Sequence, residues 1–276
     1  MARNPNAGLD RVARVLPVEG AGKIFFVGDT STAGYNDLVQ LFGHRVGHQY
    51  ATIDAAVSAC TANRGDVVVV AANYAETVSA ASGIDMDVAG VTVIGLGQGA
   101  DRPVLTFSGT AATITMAAAS CALKNVILTN SIDAVVSPIV VSAADCEIDV
   151  ESRDATNLIE FTSVILTTAA ADNLKVKLKH RGFTGGSGNT NAVRLVGVDG
   201  ARVDIDYFGL AGTAVVEFHT TACSDVNVIG YMYNHGTTDF TKSVIDTVTG
   251  STWYAAFHDG GAGQYVSGGS GEALAA

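Results

Sequence analysis

The chain has 276 residues, 48% hydrophobic and only 16% charged, with 31 glycines against 4 prolines. This apolar, turn-rich composition excludes the disordered class and bounds the chain to one elongated domain or two compact ones. A formal net charge of -11 argues against nucleic acid, an anionic membrane surface or a polyanionic polysaccharide as partner, unless a local basic patch overrides the total.

Residues 1–22 read as an extended arm, with Asn4-Pro-Asn-Ala-Gly8, Leu16-Pro-Val18 and Gly20-Ala-Gly22. The arm carries Arg3, Arg11 and Arg14 and lacks the uninterrupted apolar core of a secretory signal, which points to folding in a reducing cytosol. No run of 18 apolar residues occurs anywhere, so no segment reads as a membrane-spanning helix. Residues 23–62 read as an N-terminal strand, a turn and a capping helix. Lys23-Ile-Phe-Phe-Val27 is the strand, ended by Gly28-Asp29, and residues 36–42 suit a brief helical turn. Over residues 52–61, Ile53, Ala56, Val57 and Cys60 follow the i, i+3, i+4, i+7 pattern of an amphipathic helix, with Thr52 as its N-cap. Asn63-Arg-Gly-Asp66 breaks it.

Residues 63–262 read as strand–corner units. Val67-Val-Val-Val70 suits a fully buried strand, and further strands are expected at 91–94, 104–107, 113–116, 123–128 and 138–141. From about residue 120 a short β-type segment returns every 22 to 28 residues. Its versions read Cys146-Glu-Ile-Asp-Val-Glu151, Leu174-Lys-Val-Lys-Leu-Lys179, Ala201-Arg-Val-Asp-Ile-Asp206 and Cys223-Ser-Asp-Val-Asn-Val228. With Ile148, Val176, Val203 and Val228 as equivalent positions, the spacings are 28, 27 and 25. A period of this size means one supersecondary unit stacked on copies of itself. A second family of segments comes before these, at 158–161, 192–195, 214–218 and 243–246, the last ahead of Trp253-Tyr-Ala-Ala-Phe257. Two strands per unit suit an all-β fold, a single-stranded parallel β-helix whose open hydrophobic end the helix would cap. Residues 263–276 read as a flexible Gly/Ser tail.

Alternation within the repeats puts Glu147, Asp149 and Glu151 outward on one coil, Lys175, Lys177 and Lys179 on the next, and Arg202, Asp204 and Asp206 on the third. A charge ladder that fixes stacking register explains this better than a sugar- or metal-binding stripe, because each carboxylate has a cation beside it. Cys121, Cys146 and Cys223 each open a strand and read as buried free thiols rather than metal ligands, since close His or Cys partners are missing. His44-Arg-Val-Gly-His48 has histidines at i, i+4, but Gly43 and Gly47 speak against a helix. Gly95-Leu-Gly-Gln-Gly99 leads to Asp101-Arg-Pro103 and not to a helix, so it reads as a β-corner and not a dinucleotide loop. The polar loop 182–191 suits a partner-contacting tip or a long corner. Tyr231, Tyr233, Trp253, Tyr254 and Phe257 gather near the C-terminal end, where they would plug the last coil or pack on a sister chain.

Gly22-Lys-Ile-Phe-Phe-Val-Gly28, Tyr50-Ala-Thr-Ile-Asp-Ala-Ala56, Thr61-Ala-Asn-Arg-Gly-Asp-Val-Val68, Tyr74-Ala-Glu-Thr-Val78 and Val88-Ala-Gly-Val-Thr-Val-Ile-Gly-Leu-Gly97 carry a resemblance. Residues 22–128 resemble tailed-bacteriophage virion proteins with a pectate-lyase-like right-handed β-helix. Beyond residue 130 only the periodicity is similar. The resemblance implies a right-handed coil and a non-enzymatic structural role in the virion, as a homotrimer decorating the capsid exterior. Enzymatic relatives use calcium-binding aspartates with an arginine base, or grouped aspartates; no such set stands out here, so no catalytic, metal or cofactor residues are expected. The expected partners are further copies of the chain and the major capsid protein, with Arg3, Arg11 and Arg14 as the attachment element. The competing reading is a tail fibre or spike that binds or cleaves a host surface glycan. A secreted pectate-lyase relative is a third, weakened by the missing signal.

Overall fold

The structure is a computed structural model and describes residues 22–28, 36, 39–40, 46–183, 190–233, 244–259, 265–267 and 272–275. The N-terminal end comprises β1 (Ile24–Val27), β2 (Val46–Tyr50) and the helix α1 (Ile53–Ser58). Thr52 is extended and its side chain accepts the Ala55 N–H at 3.3 Å, the N-cap that the sequence indicates. The helix is shorter than residues 52–61 because Ala59 already caps its C-terminus, but Ile53, Ala56 and Val57 are buried against the first strands as expected of a cap. The turn expected at 36–42 lies mostly outside the described residues. His44 lies outside them too, and His48 sits in β2, a strand.

Two kinked coils follow. In the first, β3 (Val67–Val70) turns sharply into β4 (Ala75–Val78) before β5 (Ile84–Asp85); in the second, β6 (Thr92–Gly95) turns through a short 3-10 segment into β7 (Val104–Phe107) before β8 (Ile114–Met116). These coils have three strands where the periodicity predicts two. The nine-residue β9 (Ala122–Asn130) ends the kinking: its first part pairs with β6 and its last with β7. Between them Asn125 stands at φ 58 and donates to Gly95 O at 2.7 Å, so one left-handed residue absorbs the mismatch.

Straight coils of two strands each come next: β10 (Ile139–Val141) with β11 (Glu147–Arg153), β12 (Ser163–Thr167) with β13 (Lys175–Arg181), β14 (Asn191–Leu195) with β15 (Arg202–Phe208), β16 (Val216–Phe218) with β17 (Val226–Tyr233), and β18 (Val244–Asp246) with β19 (Trp253–Asp259). The last strands, β20 (Tyr265–Ser267) and β21 (Glu272–Ala275), continue the two ladders within the segment expected as a tail. The other residues of 263–276, and all of the arm 1–21, lie outside the described residues.

Each strand pairs with its counterpart one coil away, and every ladder between these strands is parallel. The chain is therefore a parallel β-helix of about seven turns, built on a 13-stranded and an 8-stranded sheet. Ile148 pairs with Val176, Val176 with Val203 and Val203 with Val228, so the repeat spacing read from the sequence is the coil register. All four side chains are buried in one continuous core. In the shorter sheet the inward column is Ile114, Ile139, Ile165, Val193 and Val216. That column corrects the strand expected at 158–161. Ser163–Thr167 supplies the rung, because it brings Ile165 into line with Ile139 and Val193. Residues 158–161 form a loop in which Leu158 is exposed and Phe161 packs edge-on against Phe107.

Two residues before the register-aligned start of each long-sheet rung from β3 to β17 the backbone is left-handed, at Gly65, Gly90, Ser120, Asp145, Asn173, Gly200 and Asp225. Gly, Asn, Asp and Ser adopt this conformation most cheaply. Backbone bonds continue the ladder around that corner: Asp145 N–H donates to Asp172 O, Asn173 N–H to Asp199 O and Gly200 N–H to Ser224 O. Cys121 and Cys146 stack in the position just before the strand, buried and unbridged. Cys223, three residues ahead of Val226, belongs to the preceding corner and accepts the Val198 N–H.

Candidate functional site

The outer face of the long sheet gathers most of the side chains with chemical potential. It is built by strict alternation: Lys175, Lys177 and Lys179 in β13 and Arg202, Asp204 and Asp206 in β15 are exposed, and the residues between them are buried. Register puts Lys175 between Glu147 and Arg202, Lys177 between Asp149 and Asp204, and Lys179 between Glu151 and Asp206. Ion pairs cross the rungs at Lys124–Glu147 (2.7 Å), Lys177–Asp149 (3.5 Å) and Arg181–Asp206 (2.6 Å). Exposed pairs of this kind contribute about 0.2–1 kcal/mol each, enough to favour one register over a slipped one but little more.

Glu151 differs from its neighbours. It points outward yet is only 5% exposed, because Arg102 reaches it from the kink that follows β6, at 2.6 Å, and Arg153 closes from its own strand at 2.6 Å. Lys179 stands 3.7 Å away. Burial alone would raise this carboxyl, but the Arg102 and Arg153 guanidiniums hold it below its ordinary value. Glu151 thus ties the last kinked coil to the first straight ones. Arg102, Asp149, Glu151, Lys177, Lys179 and Asp206 line a shallow depression of about 230 Å³ around this junction.

Towards the C-terminal end the same face loses its charge. Tyr231 follows Asp206 in register and is 65% exposed, Ile229 follows Asp204, and Tyr254 follows Asn227 and is 38% exposed. Trp253 points the other way: it is buried, stacks on Phe218 and donates its indole N–H to Asp246 at 2.9 Å. Of the terminal aromatics whose side chains are described, one plugs the coil and two stand outward. The side chains of Tyr233 and Phe257 lie outside the described residues.

Inside the coil lies a polar stack that the sequence reading passed over. Ser152, His180 and Tyr207 occupy one column. Ser152 Oγ lies 2.8 Å from His180 Nδ1, Asp154 Oδ2 lies 3.4 Å from His180 Nε2, and Tyr207 stacks on the imidazole at 4.7 Å. Tyr207 also donates to Leu210 O. The residue types match a nucleophile–base–acid set, but Ser152 and His180 are fully buried and no substrate atom can reach them. The clue was the aligned Ser, His and Tyr that each follow the last outward charge of their repeat. A second hidden acid, Glu217 in the short sheet, accepts from Asn191 at 2.6 Å and from Arg194 at 2.9 Å.

Arg3, Arg11 and Arg14 lie outside the described residues, as does most of the loop 182–191. Gly95 ends a strand and opens the kink, the corner that its sequence suggests; a Cβ there would stand 2.4 Å from Asn125 O. Burial pushes the Cys146 thiol up to about 11 and that of the half-buried Cys60 up to about 12. Among the described residues no group of three or more His, Cys, Asp or Glu side chains is arranged to hold a metal ion, and no helix is long and apolar enough to cross a membrane. Comparison with protein-family models, with curated proteins and with solved structures finds no match.

Proposed function

We propose that this chain is a non-enzymatic structural protein of a bacteriophage particle, decorating or stabilising the capsid exterior as a homotrimer in contact with the major capsid protein. The observation that carries the reading is Glu151. The most buried outward carboxylate on the long face is occupied by Arg102 and Arg153, so it serves to lock coils together and is not free to hold an ion or move a proton. A continuous inward column and a cross-rung charge ladder suit a stiff rod, and the resemblance over residues 22–128 supplies the particle. In this reading the arm 1–22, with Arg3, Arg11 and Arg14, meets an acidic capsid patch. Deleting residues 1–22 is expected to leave a folded β-rich chain that no longer co-sediments with particles; undiminished incorporation refutes the attachment role.

A second reading, a fibre or spike that binds a host surface glycan, is favoured by Tyr231 standing exposed beside Asp206, which itself lines the depression. Aromatic faces next to carboxylates suit sugar rings. It predicts measurable glycan binding that Tyr231→Ala abolishes.

A further inference from the structure

The charge of this chain is divided between two neighbouring surfaces of the rod. Seven of its 16 Lys and Arg side chains face outward on β9, β11, β13 and β15 and Arg102 joins them from the kink, against five carboxylates, so the face is locally basic on a chain of net charge -11. Lys175 and Arg202, adjacent in register, are exposed and take part in no ion pair among the described residues. The corner leading into this face is acidic. Asp145, Asp172, Asp199 and Asp225 occupy it on four successive coils, and none of them pairs with a cation among the described residues. At Asp145 and Asp225 the backbone does not require the charge, since Gly65, Gly90, Gly200 and Asn173 serve the same left-handed position without it; Asp172 and Asp199 stand one residue earlier, where their carboxylates accept from the Asp199 N–H and the Ser224 hydroxyl. The acids begin at the coil of β11, one coil after Lys124 opens the charged face.

We infer that the acidic corner of one copy docks on the basic face of the next, making this the contact between copies of the chain. The inference deepens the homotrimer in the proposed function by naming its surfaces. Both surfaces lie on the same coils, so rotation about an axis parallel to the rod brings one opposite the other with no axial slip, which closes a ring. Coils about 4.8 Å apart spread the four corner acids over roughly 14 Å along the rod, a span that takes in the adjacent coils carrying Lys175 and Arg202 on the neighbouring copy. Like-charged alignments, face on face or corner on corner, repel, which selects this pairing.

The test is solution mass by light scattering on the full chain, at low and at high salt, with far-UV circular dichroism as the folding control. The wild type is expected to be oligomeric and to lose mass at about 1 M salt, where the screening length falls to about 3 Å. Lys175→Glu with Arg202→Glu, on the face, is expected to lower the mass about threefold, to the monomer. Asp145→Lys with Asp225→Lys is expected to do the same, and the four changes together to restore assembly. Asp145→Asn with Asp225→Asn, which keeps residues suited to the left-handed backbone, should weaken assembly if the lysines disturb the corner. A monomeric wild type at micromolar concentration, or an oligomer indifferent to both charge variants, overturns the inference. So does an unchanged mass combined with face-dependent retention on a sulfated polysaccharide, which would assign the face to a polyanion. Particle incorporation is a separate readout: a charge-dependent oligomer that never joins particles removes the virion reading and leaves the contact standing.

Discussion

The kinked coils of β3–β8 and the straight coils of β11–β15 obey the same inward register but put different chemistry on the outside. In the kinked half the outward positions Val67, Val69 and Ile94 are apolar and buried in a second small cluster with Ile24 and Phe26. In the straight half the equivalent positions are Glu, Asp, Lys and Arg in ladders. The inward column therefore specifies the coil, while the outward face is free to be covered or to be charged. Acids follow the same division. Burial raises the Glu76 and Asp85 carboxyls of the kinked half above their ordinary values, whereas Arg102 and Arg153 outweigh burial at Glu151 and lower it.

The largest expected effect treats both halves alike. Phe107 and Phe218 are fully buried in the common core, so Phe107→Ala and Phe218→Ala should each cost about 3–5 kcal/mol, read from denaturant midpoints. A mild loss at either site would mean that the halves do not share one core. Next comes the junction. Glu151→Gln strands Arg102 and Arg153 and should cost about 2 kcal/mol, whereas Asp149→Asn on the exposed ladder should stay within about 0.5 kcal/mol. Equal effects would make Glu151 an ordinary ladder member.

The smallest effect is the response to acid, and its sign differs between the halves. The lowered Glu151 carboxyl stabilises the fold above its unfolded value, about pH 4.3, and that contribution fades as pH falls further. The raised Glu76 and Asp85 carboxyls contribute below the unfolded values and lose that contribution as pH rises through their folded ones. Hydrogen exchange from pH 6 down to about pH 4 should therefore show protection rising near β4 and β5 relative to β11. Parallel changes in both halves would contradict the assignment.

Much of the straight half was legible in the sequence, because Ile148, Val176, Val203 and Val228 recur with period-2 neighbours long enough to count. Val67–Val70 and the Thr52 cap were legible for the same local reason. The kinked coils were not: β5 has two residues and β8 three, too short for alternation to show, and Asn125 alone absorbs the change of register. Residues 158–161 imitate a strand in composition, and only the column through Ile139 and Ile165 shows that the rung lies at 163–167. The Glu151 lock was invisible because Arg102 is 49 residues away, delivered by a kink that the periodicity does not predict.

Everything rests on neighbouring coils being parallel and in the stated register, and paired cysteines test that most directly. Asp149 and Lys177 are register partners on the outer face, with Cα atoms near the about 4.8 Å strand spacing, inside the about 4.4–6.8 Å range that a disulfide spans. Asp149→Cys with Lys177→Cys should cross-link on mild oxidation of the folded chain, while Asp149→Cys with Arg181→Cys, displaced by four residues along the strand, should not. A cross-link in the displaced pair, or none in the register pair, would contradict the stacked coil.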